Sequence, residues 1–215
     1  MEKQVLLDKK NQATFIVDLN QQLVTSDRVY SHFGQTLQTK SLDKFLNHCH
    51  IDDKKLVDHI CRSYLSYCLK NVLAPANTSL NFTCRIQKES GEVIKFLCQL
   101  KVSEVHELRI TKLLIHCTNI SFICTESNVA WTLQGDAEQR LNFKKRVAKK
   151  YEKLFSCREI DIIRQMQNGL SNTEIGEILF ISSQTVATHR KRIFKKSKSH
   201  SATELIAFCK ERGIS

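Results

Sequence analysis

Two kinds of hydrophobic pattern divide this 215-residue chain. Up to about residue 125, short apolar runs are separated by turn signals. TFIVDLNQQLVT (14–25) is two such runs around Asp18-Leu19-Asn20, which predicts a hairpin. SLNFTCRIQ (79–87) alternates, Lys88-Glu89-Ser90-Gly91 predicts a turn, and VIKFLCQLKV (93–102) runs back. RITKLLIHCTNISF (109–122) predicts another strand. Between the first hairpin and the later strands the pattern turns helical. The longest helix is expected at about 53–72, behind Asp52 as N-cap. About five antiparallel strands with helices inserted after the second make an α+β layout.

From about 136 no strand pattern survives. Gly135-Asp136 opens a predicted helix, with Asp136 and Gln139 spaced as a capping box. Leu141, Val147, Tyr151 and Leu154 form only a thin apolar face, as in a connecting helix that packs partly, against a second copy of itself for example. Beyond it, Ser-x-x-Glu recurs three times, at Ser156/Glu159, Ser171/Glu174 and Ser201/Glu204. In each, serine can accept the amide of the glutamate while the glutamate reaches back to the serine amide. The apolar residues that follow are helically spaced: Ile160, Ile163 and Met166 before Gly169, then Ile175, Ile178 and Leu179. After Phe180-Ile181-Ser182, a third helix begins near Ser183 with Val186 and Ile193 on one face. A fourth carries Leu205, Ile206 and Phe208 and stops by Gly213. The expectation is a bundle of four short helices.

Charge changes the picture. Lys and Arg total 33 against 22 Asp and Glu, a formal charge of +11, with a pI near 9.3. Residues 1–125 hold 16 basic and 12 acidic side chains, residues 126–215 hold 17 and 10. The run HRKRIFKKSK (189–198) has six Lys or Arg and no acid. An anionic partner follows, nucleic acid before a membrane surface. The basic run KKRVAKK (144–150) reads first as a solvated helix face, with non-specific phosphate contact as the sharper alternative. No apolar run approaches a membrane span of roughly 20 residues, and MEKQVLLDKKNQ lacks the apolar stretch of a secretory signal. A cytoplasmic protein is expected. Nine cysteines, none in C-x-x-C spacing, argue against a disulfide framework or zinc finger; most sit beside Ile, Leu, Phe or Val as core fillers. His48, Cys49, His50, His59 and Cys61 read as a solvated His-rich stretch rather than a metal site, and His50-Ile51-Asp52-Asp53 as helix capping. No Walker loop, Rossmann glycine pattern or hydrolase elbow is present. No catalytic residue, metal or cofactor is expected.

A short helix, a tight turn and a second helix with small polar residues at its start make a helix-turn-helix. Small side chains at Ser183, Ala187 and Thr188 would let the helix enter a major groove about 12 Å wide, while the cationic chains beyond reach flanking phosphates. First-turn amides of both helices would also face phosphate. The bland alternative is a helical bundle with a basic surface.

SCREIDII, GLSNTEIGEIL and ISSQTVATHRKRIFKK keep fixed offsets over about 60 residues. With them, residues 154–213 resemble the LuxR-type helix-turn-helix of bacterial transcription regulators. The resemblance implies base-edge positions at Ala187, Thr188 and Lys191, and phosphate-side positions at Asn172, Thr173, Ser183, Thr185, His189 and Arg192. With Gln184 and Lys195 these complete the candidate DNA-binding set. Glu174, Ile175, Val186 and Ile193 match core or helix-locking positions. The sequence departs from the family at Thr173, commonly Lys, at Gly176, usually Ala, and at Ser197 and Ser199, typically Leu and Val. Loss of those two apolar side chains is expected to loosen the docking of the fourth helix and leaves its dimer role open.

FIVDLNQQLVTSDRVYSHFG, HIDDKKLVDHI and the hairpin around KESGE resemble, in order, a PAS sensor domain over about residues 12–123. The fold expected is thus two domains: a PAS-like α+β sensor or dimerisation domain at 1–125, a helical linker at 126–152, and an all-α four-helix LuxR-type domain at 153–215. The function implied is a sequence-specific transcription regulator binding double-stranded DNA as a homodimer. Whether the first domain takes a small-molecule ligand stays open. NFTCRIQ (81–87) lacks the spacing of a flavin-photosensor motif, and His59 has no supporting haem signature. The rival reading is a protein-interaction module that contacts RNA polymerase through a helix-turn-helix like sigma region four.

Overall fold

The alternating runs of the first half become strands of one antiparallel sheet. The computed structural model describes residues 12–19, 23–26, 42–71, 77–87, 90–107, 109–124 and 128–214. The strands are β1 (Gln12–Asp18), β2 (Leu23–Ser26), β3 (Ser79–Gln87), β4 (Val93–His106), β5 (Arg109–Asn119) and β6 (Trp131–Gln134), in the spatial order β2-β1-β5-β4-β3-β6. The expected hairpins β1–β2 and β3–β4 are both present. Of their turns, Asn20, Lys88 and Glu89 lie outside the described residues. Two helices, α1 (Leu42–Asn47) and α2 (Ile51–Lys70), fall between β2 and β3.

Period-two patterning sets which face is buried. Ala13, Phe15 and Val17 of β1, Phe82, Cys84 and Ile86 of β3, Phe96, Cys98 and Leu100 of β4, and Leu113, Ile115 and Cys117 of β5 are all buried. Helix α2 packs against β3, β4 and β5. Its buried stripe contains Leu56, Val57, Ile60, Cys61, Tyr64 and Cys68. The Tyr64 hydroxyl donates to the Thr78 carbonyl at 2.9 Å, which satisfies the one polar atom of that side chain in the core.

Four sequence expectations change in the sheet-bearing part of the chain. The His-rich stretch expected to be solvated is not, because Cys49 and Cys61 are buried in the core. Helix α2 starts at Ile51, with His50 rather than Asp52 at the N-cap. Asp53 is not a capping residue: it is buried, accepts the Arg85 amide at 2.8 Å, and pairs with the Arg85 guanidinium at 2.6 Å. And the sheet has a sixth strand. β6 pairs with β3 over four residues, too few for alternation to reveal it. Residues 126–152 therefore hold β6 as well as the helix expected there.

That helix, α3 (Ala137–Glu152), opens with the expected box: Gln139 Oε1 accepts from the Asp136 amide at 2.9 Å, and Asp136 Oδ1 from the Gln139 amide at 2.8 Å. Its buried residues are Phe143, Val147 and Ala148, whereas Leu141 is exposed. Phe143 meets Tyr64, Tyr67 and Trp131 edge-on, with ring centroids 5.6–6.4 Å apart. The chain divides within α3, after Phe143, into two compact units. No helix among the described residues is long and apolar enough to cross a membrane.

The second unit contains α4 (Cys157–Gln167), α5 (Asn172–Leu179), α6 (Ser183–Ser197) and α7 (Ala202–Glu211). They enclose Phe155, Ile162, Ile163, Met166, Ile175, Val186, Ile193, Leu205, Cys209 and Ile214. Ile178, expected in this core, is exposed because α5 turns Ile175 and Leu179 inward instead. Capping boxes close fully at Ser156/Glu159 and Ser171/Glu174. The third is half-formed: Ser201 accepts the Glu204 amide, and the Glu204 carboxylate takes the His200 amide instead of that of Ser201.

Candidate nucleic-acid interface

The turn between α5 and α6 sets the angle at which α6 is presented. Helix α5 ends at Phe180, in the left-handed region at φ 54° and ψ 46°, which reverses the chain in one residue. The Ile181 amide then donates to the Gly176 carbonyl at 2.9 Å. A Cβ on Gly176 would stand 2.6 Å from the Ile181 carbonyl oxygen, so this turn closes too tightly for alanine. Ser182 caps α6: its hydroxyl accepts the Thr185 amide at 3.0 Å and shares a hydrogen bond with the Thr185 hydroxyl at 2.8 Å.

Helix α6 has two opposite faces. Val186 and Ile193 are fully buried and Ser197 nearly so. Burial of the two aliphatic side chains stabilises the helix on the bundle by about 1.5–3 kcal/mol each. Gln184, Thr188, Lys191 and Lys195 are exposed. They follow one another at steps of four, three and four residues, so they form one stripe on the far side of the rod. Arg192 and Ser183 flank that stripe and are exposed; Ala187 and His189 are half-buried. The Thr188 hydroxyl donates to the Gln184 carbonyl at 3.1 Å. On α5, Thr173 is exposed and Asn172 half-buried.

Long-range polar contacts lock this presentation, and pattern reading missed them. Arg190 donates to Asn172 Oδ1 at 2.9 Å and ties α6 to the first turn of α5. Arg158 donates to the Leu179 carbonyl at 2.5 Å, one of the orphan acceptors at the end of α5. Lys196 donates to the buried Glu159 carboxylate at 2.6 Å. Asn172 is therefore engaged within the fold, and Lys196 is a strut rather than part of the outward stripe. Residues 18 to 37 positions apart in sequence make these contacts, so no local spacing signals them.

Residues 153–209 match the family model of bacterial regulatory proteins, luxR family. The segment is a LuxR-type helix-turn-helix domain. It is 44% identical over 59 residues to the fimbriae Z protein of Salmonella typhimurium, covering 27% of this chain and 28% of that protein. It is 40% identical over 60 residues to the uncharacterized transcriptional regulatory protein YxjL of Bacillus subtilis, covering 28% of each. The chain thus spans little more than a quarter of the length of the curated relatives it matches. Among solved structures, the VqmA dimer of Vibrio cholerae aligns over 97% of this chain and 86% of that one, with a TM-score of 0.38 and 12% identity.

Two of the departures within the LuxR-type domain, Gly176 and Ser197, have physical readings. Gly176 answers to the close approach of the Ile181 carbonyl. Ser197 and Ser199 are buried despite their hydroxyls. Ser197 donates to the Ile193 carbonyl at 2.9 Å, so its own helix satisfies it. Helix α7 still seats Leu205 and Cys209 in the core. Among the described residues no group of three or more His, Cys, Asp or Glu is arranged to hold a metal ion.

Proposed function

We propose that the chain is a DNA-binding transcription regulator whose LuxR-type domain seats α6 in the major groove of double-stranded DNA. The observation that carries this reading is the opposition of the two faces of α6: Val186 and Ile193 fully buried, Gln184, Thr188, Lys191 and Lys195 outward. Ala187, Thr188 and Lys191 face base edges. Thr173, Ser183, Thr185, His189, Arg192 and Lys195 lie toward phosphates, as does the Nδ2 amide of Asn172 while its Oδ1 holds Arg190, helped by the first-turn amides of α5 and α6. The protein acts by binding, in the cytoplasm, without catalysis.

In this reading residues 153–215 read DNA, 126–152 connect while lending β6 to the sheet, and the sheet-bearing N-terminal part acts as a PAS-like sensory or dimerisation domain. Support comes from its layout of opening hairpin, inserted helices and closing antiparallel strands. One short reading helix covers few base pairs, so a homodimer on a two-fold site, with half-sites one helical turn apart, supplies the remaining specificity.

Footprinting of selected duplexes by the purified chain, without RNA polymerase, tests the reading. Paired protected half-sites are expected, with affinity falling steeply with salt. Protection that appears only when polymerase is added would replace this reading with the polymerase-contact one.

A further inference from the structure

Four buried cysteines meet on the inner face of the sheet. Cys84 on β3, Cys98 on β4 and Cys117 on β5 come from adjacent strands and are fully buried. Cys98 and Cys117 are directly opposed in the β4–β5 register, with their sulfurs 3.3 Å apart. Cys84 Sγ lies 3.9 Å from Cys98 Sγ on the other side. Cys49, bridged to β3 opposite Ile86, hydrogen-bonds to Cys84 through its thiol.

Filling a core needs only the volume of these thiols. Two of them also meet the geometry of a covalent link. Directly opposed residues of an antiparallel pair have Cα atoms about 4.5–5.5 Å apart, inside the disulfide range of about 4.4–6.8 Å. Cys84 stands opposite Phe96, which makes it a diagonal neighbour of Cys98. Diagonal neighbours are about 7–8 Å apart, too far for an unstrained bridge.

We propose that Cys98 and Cys117 form an oxidisable dithiol site that takes a two-electron oxidant of the hydroperoxide class. Hydrogen peroxide is little larger than water and reaches the pair through local opening of the sheet. Burial and the hydrogen bonds to Cys117 and Cys84 hold the Cys98 thiol above its ordinary value, so its proton leaves only as the sulfur reacts. The Cys98 sulfur attacks one peroxide oxygen and the O–O bond breaks. The departing hydroxide takes the Cys98 proton and leaves as water, with Cys98 as sulfenic acid. Cys117 sulfur then attacks Cys98 sulfur, and its proton leaves with the sulfenic hydroxyl as a second water. Two thiols and one peroxide give one disulfide and two waters; each sulfur loses one electron and the peroxide gains two.

The test uses the full chain carrying Cys124→Ser and Cys157→Ser, which removes the half-buried and the exposed thiol. The reduced protein is treated with hydrogen peroxide, denatured in N-ethylmaleimide and mapped by mass spectrometry. The expected result is two fewer alkylated thiols per chain and a peptide pair joined through Cys98 and Cys117, both reversed by dithiothreitol. An unchanged number of alkylated thiols, a link between other cysteines, or oxygen addition without a link overturns the proposal.

Discussion

Lys196, in the last turn of α6, reaches 2.6 Å from the carboxylate of Glu159, a buried residue in the first turn of α4. The same Glu159 carboxylate accepts the Ser156 amide at 2.7 Å. One acid thus closes the cap of α4 and holds down the end of α6. Burial works to raise the Glu159 carboxyl; Lys196 with the amide and hydroxyl of Ser156 more than reverses this, and the net shift is downward. A carboxyl depressed in the folded state stabilises above its unfolded value, and that contribution is lost as pH falls through the folded one. Lys196→Ala should therefore cost about 1–2 kcal/mol at neutral pH, allowing for solvent screening at the half-exposed ammonium. The gap from the parent should shrink as pH falls below the ordinary carboxyl value of about 4.3 and through the lower folded one, where Glu159 becomes protonated in both. Thermal unfolding of the two chains across pH 3–7 measures this. A gap that widens on acidification would show that Lys196 acts elsewhere.

Lys191 and Arg192 are neighbours with different expected roles. Lys191 lies in the outward stripe and should read a base edge, so Lys191→Ala is expected to cost about 1–3 kcal/mol of binding and relax preference at one position. Arg192 flanks the stripe. Arg192→Ala should weaken binding to all sequences alike and flatten the salt slope by about one unit. Binding to a panel of single-base operator variants at several salt concentrations separates them. Equal, sequence-blind losses would erase the distinction.

Gly176→Ala puts a methyl where the Ile181 carbonyl stands. Alanine would favour the helix by about 1 kcal/mol, but the contact is with backbone, which cannot swing aside. A net loss of about 1–3 kcal/mol is expected, with weaker DNA binding because the turn must open. Chemical denaturation and operator binding should both register it; a more stable variant would mean that the turn relaxes freely.

Asp53 and Arg85 hold the start of α2 to β3. Asp53→Ala leaves the guanidinium and the Arg85 amide without their shared acceptor, and should destabilise the N-terminal unit by about 3 kcal/mol. Hydrogen exchange should show faster opening of α2 and β3, with the helices of the LuxR-type domain unaffected.

Much of this architecture was written locally. Helix starts at Asp136, Ser156 and Ser171 were legible because a cap joins groups three residues apart, a spacing that the chain carries wherever it folds. Strand faces followed from alternation, and α6 from Val186 and Ile193, seven residues apart and both buried. The candidate DNA-binding set mixed the outward residues from Gln184 to Lys195 with the half-buried Ala187 and His189, which only the packing of α6 separates. Other features depend on how elements cross. Asp53 looked like a cap until β3 brought Arg85 beside it. Ile175 and Ile178 are equally apolar, and the tilt of α5 on its neighbours buried one and exposed the other. Lys196 and Lys195 are adjacent in sequence, yet only Lys196 falls beside Glu159, 37 residues away. The pairing of β6 with β3 and the opposition of Cys98 and Cys117 likewise come from register and packing. Such contacts are set by distances across space, which no spacing along the chain encodes.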